Sequence, residues 1–212
     1  MTTARPVRFQ SGAISLEGVL YSPEPMPDNV VVVCHPHPQR GGDMHNNVVM
    51  TLARTLVDLN MAALTFNFRG VGASEGVHDG GKGERDDVRA ALDAARSMPG
   101  VTRVSLAGYS FGAGMAAAVA DSSIEALCLV SAPARMLGPD SAFRSFAGPV
   151  LLVSGDADSA SSIDALREAS TAASGAIEVT VVPGADHFWW GKEAALSEAV
   201  KRFFDSLTQP RG

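Results

Sequence analysis

The stretch Val101–Gly114, VTRVSLAGYSFGAG, breaks from an apolar, β-branched run into Gly-x-Ser-x-Gly and then into small, helix-tolerant residues. A short continuous apolar run of this kind reads as a buried strand, and the alanines and glycines after it suit a helix packed closely on a sheet. A sharp turn from strand to helix pushes one side chain outward and sets it at a helix N-terminus, where free backbone N–H groups favour negative charge. Glycine is wanted at Gly108 and Gly112 because strand and helix approach there too closely for a Cβ. Ser110 is therefore the candidate nucleophile.

Outward from this unit the pattern alternates. VRFQSGAISLEGVLYSP near the N-terminus reads as a β-hairpin, and NVVVVCHPHP from Asn29 as a short buried strand followed by a loop. NNVVMTLARTLVDLN has helical spacing, with Val49, Leu52, Ala53, Leu56 and Leu59 on one side. The strand MAALTFNFRG and the helix ERDDVRAALDAARSMPG complete the upstream half. Downstream come strands in IEALCLVSAP, GPVLLVSGD and AIEVTVVPG, with helices in SSIDALREASTAAS and KEAALSEAVKRFFDSL. Strands alternating with helices predict an α/β fold, a mostly parallel twisted sheet flanked by helices on both faces. The 212 residues suit one domain over residues 1–212, with no repeat or linker. The segment ARMLGPDSAFRSFAG is too short for a large cap, although Met136, Leu137, Phe143 and Phe146 offer a small flap. The tail over 208–212 is expected to fray.

The Gly-x-Ser-x-Gly pattern recurs by chance in a chain with 21 glycines, and GASEG places a second copy around Ser74. Position decides between them. The strand before Ser74 ends near Arg69, VHDGGKGE after it is no helix, and Glu75 sets a negative charge where an oxyanion would form. RGVGASEG is read instead as a loop at the carboxyl end of a strand. Its Gly70-x-Gly72 has neither the spacing nor the following helix of a dinucleotide fingerprint, so no cofactor is expected.

A serine hydroxyl needs a base, and the base an orienting acid. His187, in VVPGADHFWWGKE, is the one histidine downstream of Ser110 and falls on a loop past a strand. The acid should come between them, where PVLLVSGDADSASS offers Asp156 and Asp158; the residues alone leave the two open. Two N–H donors are needed for an oxyanion. One is that of Phe111, and the other that of His37 in HPHPQRGG, because Pro36 and Pro38 have none. His35, His37 and His45 with Asp43 lack a third ligand at reliable spacing, so no metal is expected and His35 is assigned to packing under the loop. Trp189 and Trp190 are candidate substrate-binding residues, one of them competing with a core role.

Composition narrows the class. A net charge of −6 without a Lys/Arg cluster argues against nucleic acid or an anionic membrane as partner. No apolar run approaches the ~18 residues of a spanning helix. Cys34 and Cys128 lie in apolar runs and read as buried free thiols, which fits a cytoplasmic setting.

These stretches, CHPHPQRGGDMHNNVV, FNFRGVGASEG, AGYSFGAG, VSGDAD and VPGADHFWWGK, resemble the α/β-hydrolase superfamily, and more narrowly the small lidless bacterial hydrolases related to dienelactone hydrolases. The resemblance spans about residues 30 to 190 and implies Ser110 as nucleophile, His187 as base, and His37 and Phe111 as oxyanion donors. Its Gly-x-x-Asp pattern, here Gly155 to Asp158, favours Asp158 as the acid. Dienelactone hydrolases proper use a cysteine nucleophile, so their substrate is not carried over. The expected function is a serine hydrolase of small or medium acyl esters or thioesters, acting through an acyl-enzyme as a monomer or homodimer. A peptidase or amidase of the same fold and a non-catalytic binding scaffold are the alternatives.

Overall fold

The structure, a computed structural model, describes residues 2–208; most of the tail expected to fray lies outside them. Its first element is a hairpin of β1 (Thr2–Ser11) and β2 (Ile14–Pro23), joined by a two-residue turn. Gly12 takes φ 61° at the first central position, the conformation for which glycine is favoured in hairpin turns.

Strand β3 (Asn29–Cys34) is followed by helix α1 (Asn47–Asp58), whose cap Asn46 accepts from the Val48 N–H at 3.0 Å. Next come β4 (Ala62–Phe66), α2 (Gly83–Arg96), β5 (Arg103–Tyr109) and α3 (Phe111–Val119). The chain closes with β6 (Leu127–Val130), β7 (Val150–Gly155), α4 (Ile163–Thr171), β8 (Ile177–Val182) and α5 (Glu193–Thr208). The eight strands form one sheet in the order β1-β2-β4-β3-β5-β6-β7-β8. From β4 to β8 every neighbouring pair is parallel; β1 and β2 run antiparallel at one edge.

The continuous β-branched run of β3 follows from its place: it is paired on both sides and every residue of it is buried. Alternate residues feed two cores. Val30, Val32 and Cys34 face the cluster that holds Val88 of α2, Met115 of α3 and Leu166 of α4. Val31 and Val33 face the other, with Leu52 of α1 and Phe203 of α5.

The segment between β6 and β7 does not supply a flap. Leu137, Phe143 and Phe146 are buried in the first core, and short 3₁₀ turns at Ala134–Leu137 and Ala142–Arg144 carry them there. Those side chains are needed to cover the sheet, and Met136, partly buried, lies against Gly114 of α3.

From β3 the chain steps to β4 on one side and later to β5 on the other. The carboxyl ends of β3 and β5 are thus where strand order reverses, the crevice in which open α/β sheets carry their sites.

Candidate active site

Ser110 occupies the one-residue turn between β5 and α3, with φ 53° and ψ −117°. A non-glycine residue at positive φ costs about 1–3 kcal/mol and persists only where its surroundings hold it. Here its N–H donates to Val130 O at 2.9 Å and its carbonyl accepts the first helical bond, from Gly114 N–H at 3.1 Å. The flanking glycines are steric necessities. A Cβ on Gly108 would lie 2.5 Å from the carbonyl of Gly112, and one on Gly112 2.4 Å from Cys34 O. The helix start therefore rests directly on backbone leaving β3.

His187 arrives from the loop between β8 and α5, its Nε2 3.0 Å from Ser110 Oγ. Its Nδ1 is 3.0 Å from both carboxylate oxygens of Asp158. An ionised carboxylate only accepts, so Nδ1 carries the proton and Nε2 is left to accept from the Ser110 hydroxyl. Burial pushes the Asp158 carboxyl up, but hydrogen bonds from His187 and Ser131 and the N–H of Ala160 bring it below its ordinary value. The Ala160 and Ser161 N–H groups reach Oδ1 at 2.9 and 3.1 Å. Asp156 goes elsewhere: its Oδ1 accepts from Gly184 N–H at 2.7 Å and pins the loop after β8. Of the two acids the residues left open, geometry brings Asp158 to the histidine.

The His187 loop is fixed along its length. The Tyr109 hydroxyl donates to His187 O, and its ring lies 5.5 Å from the imidazole. Asp186 Oδ1 accepts from the N–H groups of Phe188 and Trp189, and Asn47 Nδ2 donates to Phe188 O at 2.9 Å. The two tryptophans part company. Trp189 is wholly buried in the second core, with Nε1 donating to Ser131 Oγ at 2.9 Å, so it has no surface to offer a substrate. Trp190 is 71 % exposed and Phe188 61 %.

Across the crevice, His37 follows β3 and caps a 3₁₀ turn, its Nδ1 accepting from Gln39 N–H at 3.2 Å. Its ring packs against those of Phe111 and His78, 5.0 and 5.1 Å away. Burial, with the neighbouring His78 and Arg40, holds that ring below the usual histidine range. Beneath it, buried His35 joins two strand ends: Nδ1 donates to Pro36 O at 2.6 Å and Nε2 accepts from Phe68 N–H at 3.0 Å. Ser74 is likewise structural. It is buried, donates to Asn67 O at 2.7 Å and accepts from Glu17 N–H at 3.0 Å, tying the Gly-rich loop to the hairpin. Arg69 in the same loop forms a two-pronged pair with buried Asp87 of α2, at 2.7 and 3.0 Å.

Residue-level reading had no hold on Ser131, Tyr109, Asn47 or Asp87. The one available signal was a polar residue, Ser131, closing the apolar run of β6 at the sheet's carboxyl edge.

His35 makes acid stability a test of this region. Burial pushes its ring down to about 4, against about 6.5 in the unfolded chain. Between those values the unfolded chain binds a proton that the folded one refuses, so stability falls as pH drops from about 6.5 to 4. The expected loss between pH 7 and 4.5 is about 2.5 kcal/mol, read from denaturant unfolding. His35→Asn, which cannot titrate, should flatten that dependence by the same amount; an unaltered slope refutes the assignment. Asp158, whose carboxyl is lowered, contributes only below about pH 4, outside this window.

A mostly parallel sheet with a strand–serine–helix turn, a histidine loop and an open crevice defines an α/β-hydrolase fold of the lidless serine-hydrolase type. The chain belongs to the dienelactone hydrolase family, which its residues 74–208 match, and is a hydrolase. It is 33 % identical over 188 residues to an uncharacterised protein of Rickettsia prowazekii, covering 84 % of this chain and 79 % of that one. An alpha-beta serine hydrolase homologue from Coxiella burnetii superposes with a TM-score of 0.86 at 33 % identity, over 95 % of this chain and 97 % of that one. A serine hydrolase without lid from Xanthomonas campestris gives 0.87 at 29 %, over 99 % and 96 %. Among the described residues no helix is long and apolar enough to cross a membrane.

Proposed function

We propose that the chain hydrolyses carboxylic esters or thioesters of small to medium acyl groups, with Ser110, His187 and Asp158 as its catalytic triad. The observation that carries this reading is the unbroken series Ser110 Oγ to His187 Nε2 and His187 Nδ1 to Asp158, each link 3.0 Å, at the point where strand order reverses.

In the first step Ser110 Oγ forms a bond to the acyl carbon while His187 Nε2 takes the hydroxyl proton. Asp158 stays ionised and stabilises the imidazolium. The carbonyl oxygen becomes an oxyanion facing the backbone N–H groups of Phe111, the first residue of α3, and His37. On collapse the acyl C–O or C–S bond breaks and His187 returns the proton to the departing alcohol or thiol. Water then gives its proton to His187 and attacks the acyl-enzyme, and Ser110 leaves with that proton restored. Trp190 and Phe188, exposed beside the base, form the rim that meets the departing group, since the proton it receives comes from His187.

A fluorophosphonate probe tests the reading directly, because it traps a serine activated by such a base. Mass spectrometry should find one adduct, on the peptide carrying Ser110, together with turnover of p-nitrophenyl acetate or butyrate. A folded protein that stays unlabelled favours the binding-scaffold alternative.

A further inference from the structure

Three rings meet beside the proposed oxyanion donors, and one of them has no part in the ester chemistry. His78 stands in the glycine-rich loop between β4 and α2, its side chain mostly buried. Its ring lies 5.1 Å from that of His37 and 5.7 Å from that of Phe111, which are themselves 5.0 Å apart. All three separations fall in the range where aromatic rings attract. The two residues His78 touches are those whose backbone N–H groups face the oxyanion in the mechanism above. They belong to separate segments, the loop after β3 and the start of α3. Donors from separate segments stabilise one oxygen only while both stay within hydrogen-bond reach of it. His78 comes from a third segment and closes the triangle.

The loop that carries His78 has positive φ at Gly76, Gly80 and Gly81, and glycine leaves such backbone free to move unless something ties it down. Glu84, wholly buried in the first turn of α2, is the tie. Its Oε1 accepts from Asp79 N–H at 2.8 Å and its Oε2 from Gly81 N–H at 2.7 Å. Oε1 also lies 2.7 Å from His78 Nδ1, a close polar contact without the alignment of a hydrogen bond. The ring is therefore placed mainly by the anchored loop and by packing. The same loop rests on the Phe111 ring, since a Cβ on Gly81 would lie 3.9 Å from Phe111 Cε2.

We propose that His78 is a positioning residue for the oxyanion hole: its ring, seated by the Glu84 anchor, holds the His37 and Phe111 segments at the spacing their two N–H groups need. The inference rests on the triad and donor reading above. Backbone contact at Gly112 limits how closely the two segments approach, and the His78 ring keeps them from drifting apart.

Two substitutions separate the ring from its polar contact. His78→Phe keeps a ring against His37 and Phe111 and gives up the contact with Glu84. His78→Asn keeps a polar group near Glu84 and gives up the ring. On p-nitrophenyl acetate, His78→Asn should lose about 10-fold in kcat with KM little changed, a fraction of the ~10²- to 10³-fold that removing a donor outright costs. His78→Phe should stay within about 3-fold of the wild type. A thermal unfolding curve beside each rate separates lost fold from lost positioning.

Inhibition by 1,1,1-trifluoroacetone reads the hole itself. Ser110 Oγ adds to its carbonyl carbon, the hydroxyl proton passes to His187, and the carbonyl oxygen becomes an oxyanion facing the two donors. That inhibition should weaken in step with kcat, about 10-fold in His78→Asn and no more than about 3-fold in His78→Phe. Wild-type kcat in a folded His78→Asn would overturn the proposal, as would a kcat loss with inhibition unchanged. A larger loss in His78→Phe than in His78→Asn would overturn it too, because the polar contact and not the ring would then be what matters. If instead the wild type hydrolyses no ester and takes no fluorophosphonate, it is the triad reading that has failed.

Discussion

Ser110→Ala lowers kcat on a p-nitrophenyl ester by about 10⁴- to 10⁶-fold, the range in which loss of a triad serine falls. The magnitude follows from what remains. On the proposed mechanism no acyl-enzyme forms without Oγ, and the crevice is left to bind the ester and polarise its carbonyl through the proposed donors, the N–H groups of Phe111 and His37. An oxyanion hole acting alone keeps about 10³- to 10⁴-fold over water, so the variant should sit near that floor. KM should change little, because the hydroxyl contributes one hydrogen bond, to His187, and no packing. Stability should also hold. Alanine inherits the same φ 53° as serine, and the backbone bonds to Val130 and Gly114 that fix the turn are unaffected. The measurement is a burst-free steady-state rate beside a thermal unfolding curve. Activity within 10-fold of wild type, in a protein free of wild-type carry-over, refutes the covalent route.

How much of this was legible in the residues depended on whether the deciding force was local. Strand order and helix placement followed from apolar runs alternating with 3.6-periodic segments, because burial on both faces of a parallel sheet leaves that pattern in the chain. The contest between Ser110 and Ser74 was also local: one serine stands between a strand and a helix, the other in a glycine-rich loop. Asp156 and Asp158 were not separable on residues alone, because both occupy the loop after β7. What separates them is tertiary. A Cβ on Gly155 would lie 1.9 Å from Ala185 O, so the histidine loop rides on that glycine and lands its imidazole over Asp158.

The tryptophans show the same limit. Neighbours in sequence, they are sent to opposite sides by positive φ at Trp189 and Gly191, a turn that nothing in HFWWGK announces. The flap expected from Met136, Leu137, Phe143 and Phe146 failed, three of the four being buried, because a short irregular segment has no period from which to read its buried side. Hydrogen bonds that join residues 58 positions apart, as Trp189 and Ser131 are, leave no spacing to detect.

Gly112→Ala is the sharper test of why the motif has its last glycine. Gly112 lies in the first turn of α3, where alanine would ordinarily stabilise a helix by about 1 kcal/mol. The added methyl instead meets Cys34 O at 2.4 Å and His35 O at 2.5 Å. Both are backbone atoms at the end of a central strand, and they cannot swing aside as a side chain can. The loop carrying His37 must therefore retreat by roughly 1 Å, a displacement that can cost 10²-fold when it moves a catalytic group. We expect kcat to fall about 10²- to 10³-fold, the cost of losing one oxyanion donor, and stability to fall by about 1–3 kcal/mol from overpacking. Gly114→Ala, two residues on in the same helix, supplies the contrast. Its methyl would meet the Met136 thioether at 2.3 Å, and a flexible side chain can yield. That variant should keep kcat within about 3-fold of wild type. Equal activity in the two alanine variants would show that the Gly112 contact does not hold the oxyanion loop in register; a large separation between them locates the second donor on the loop after β3.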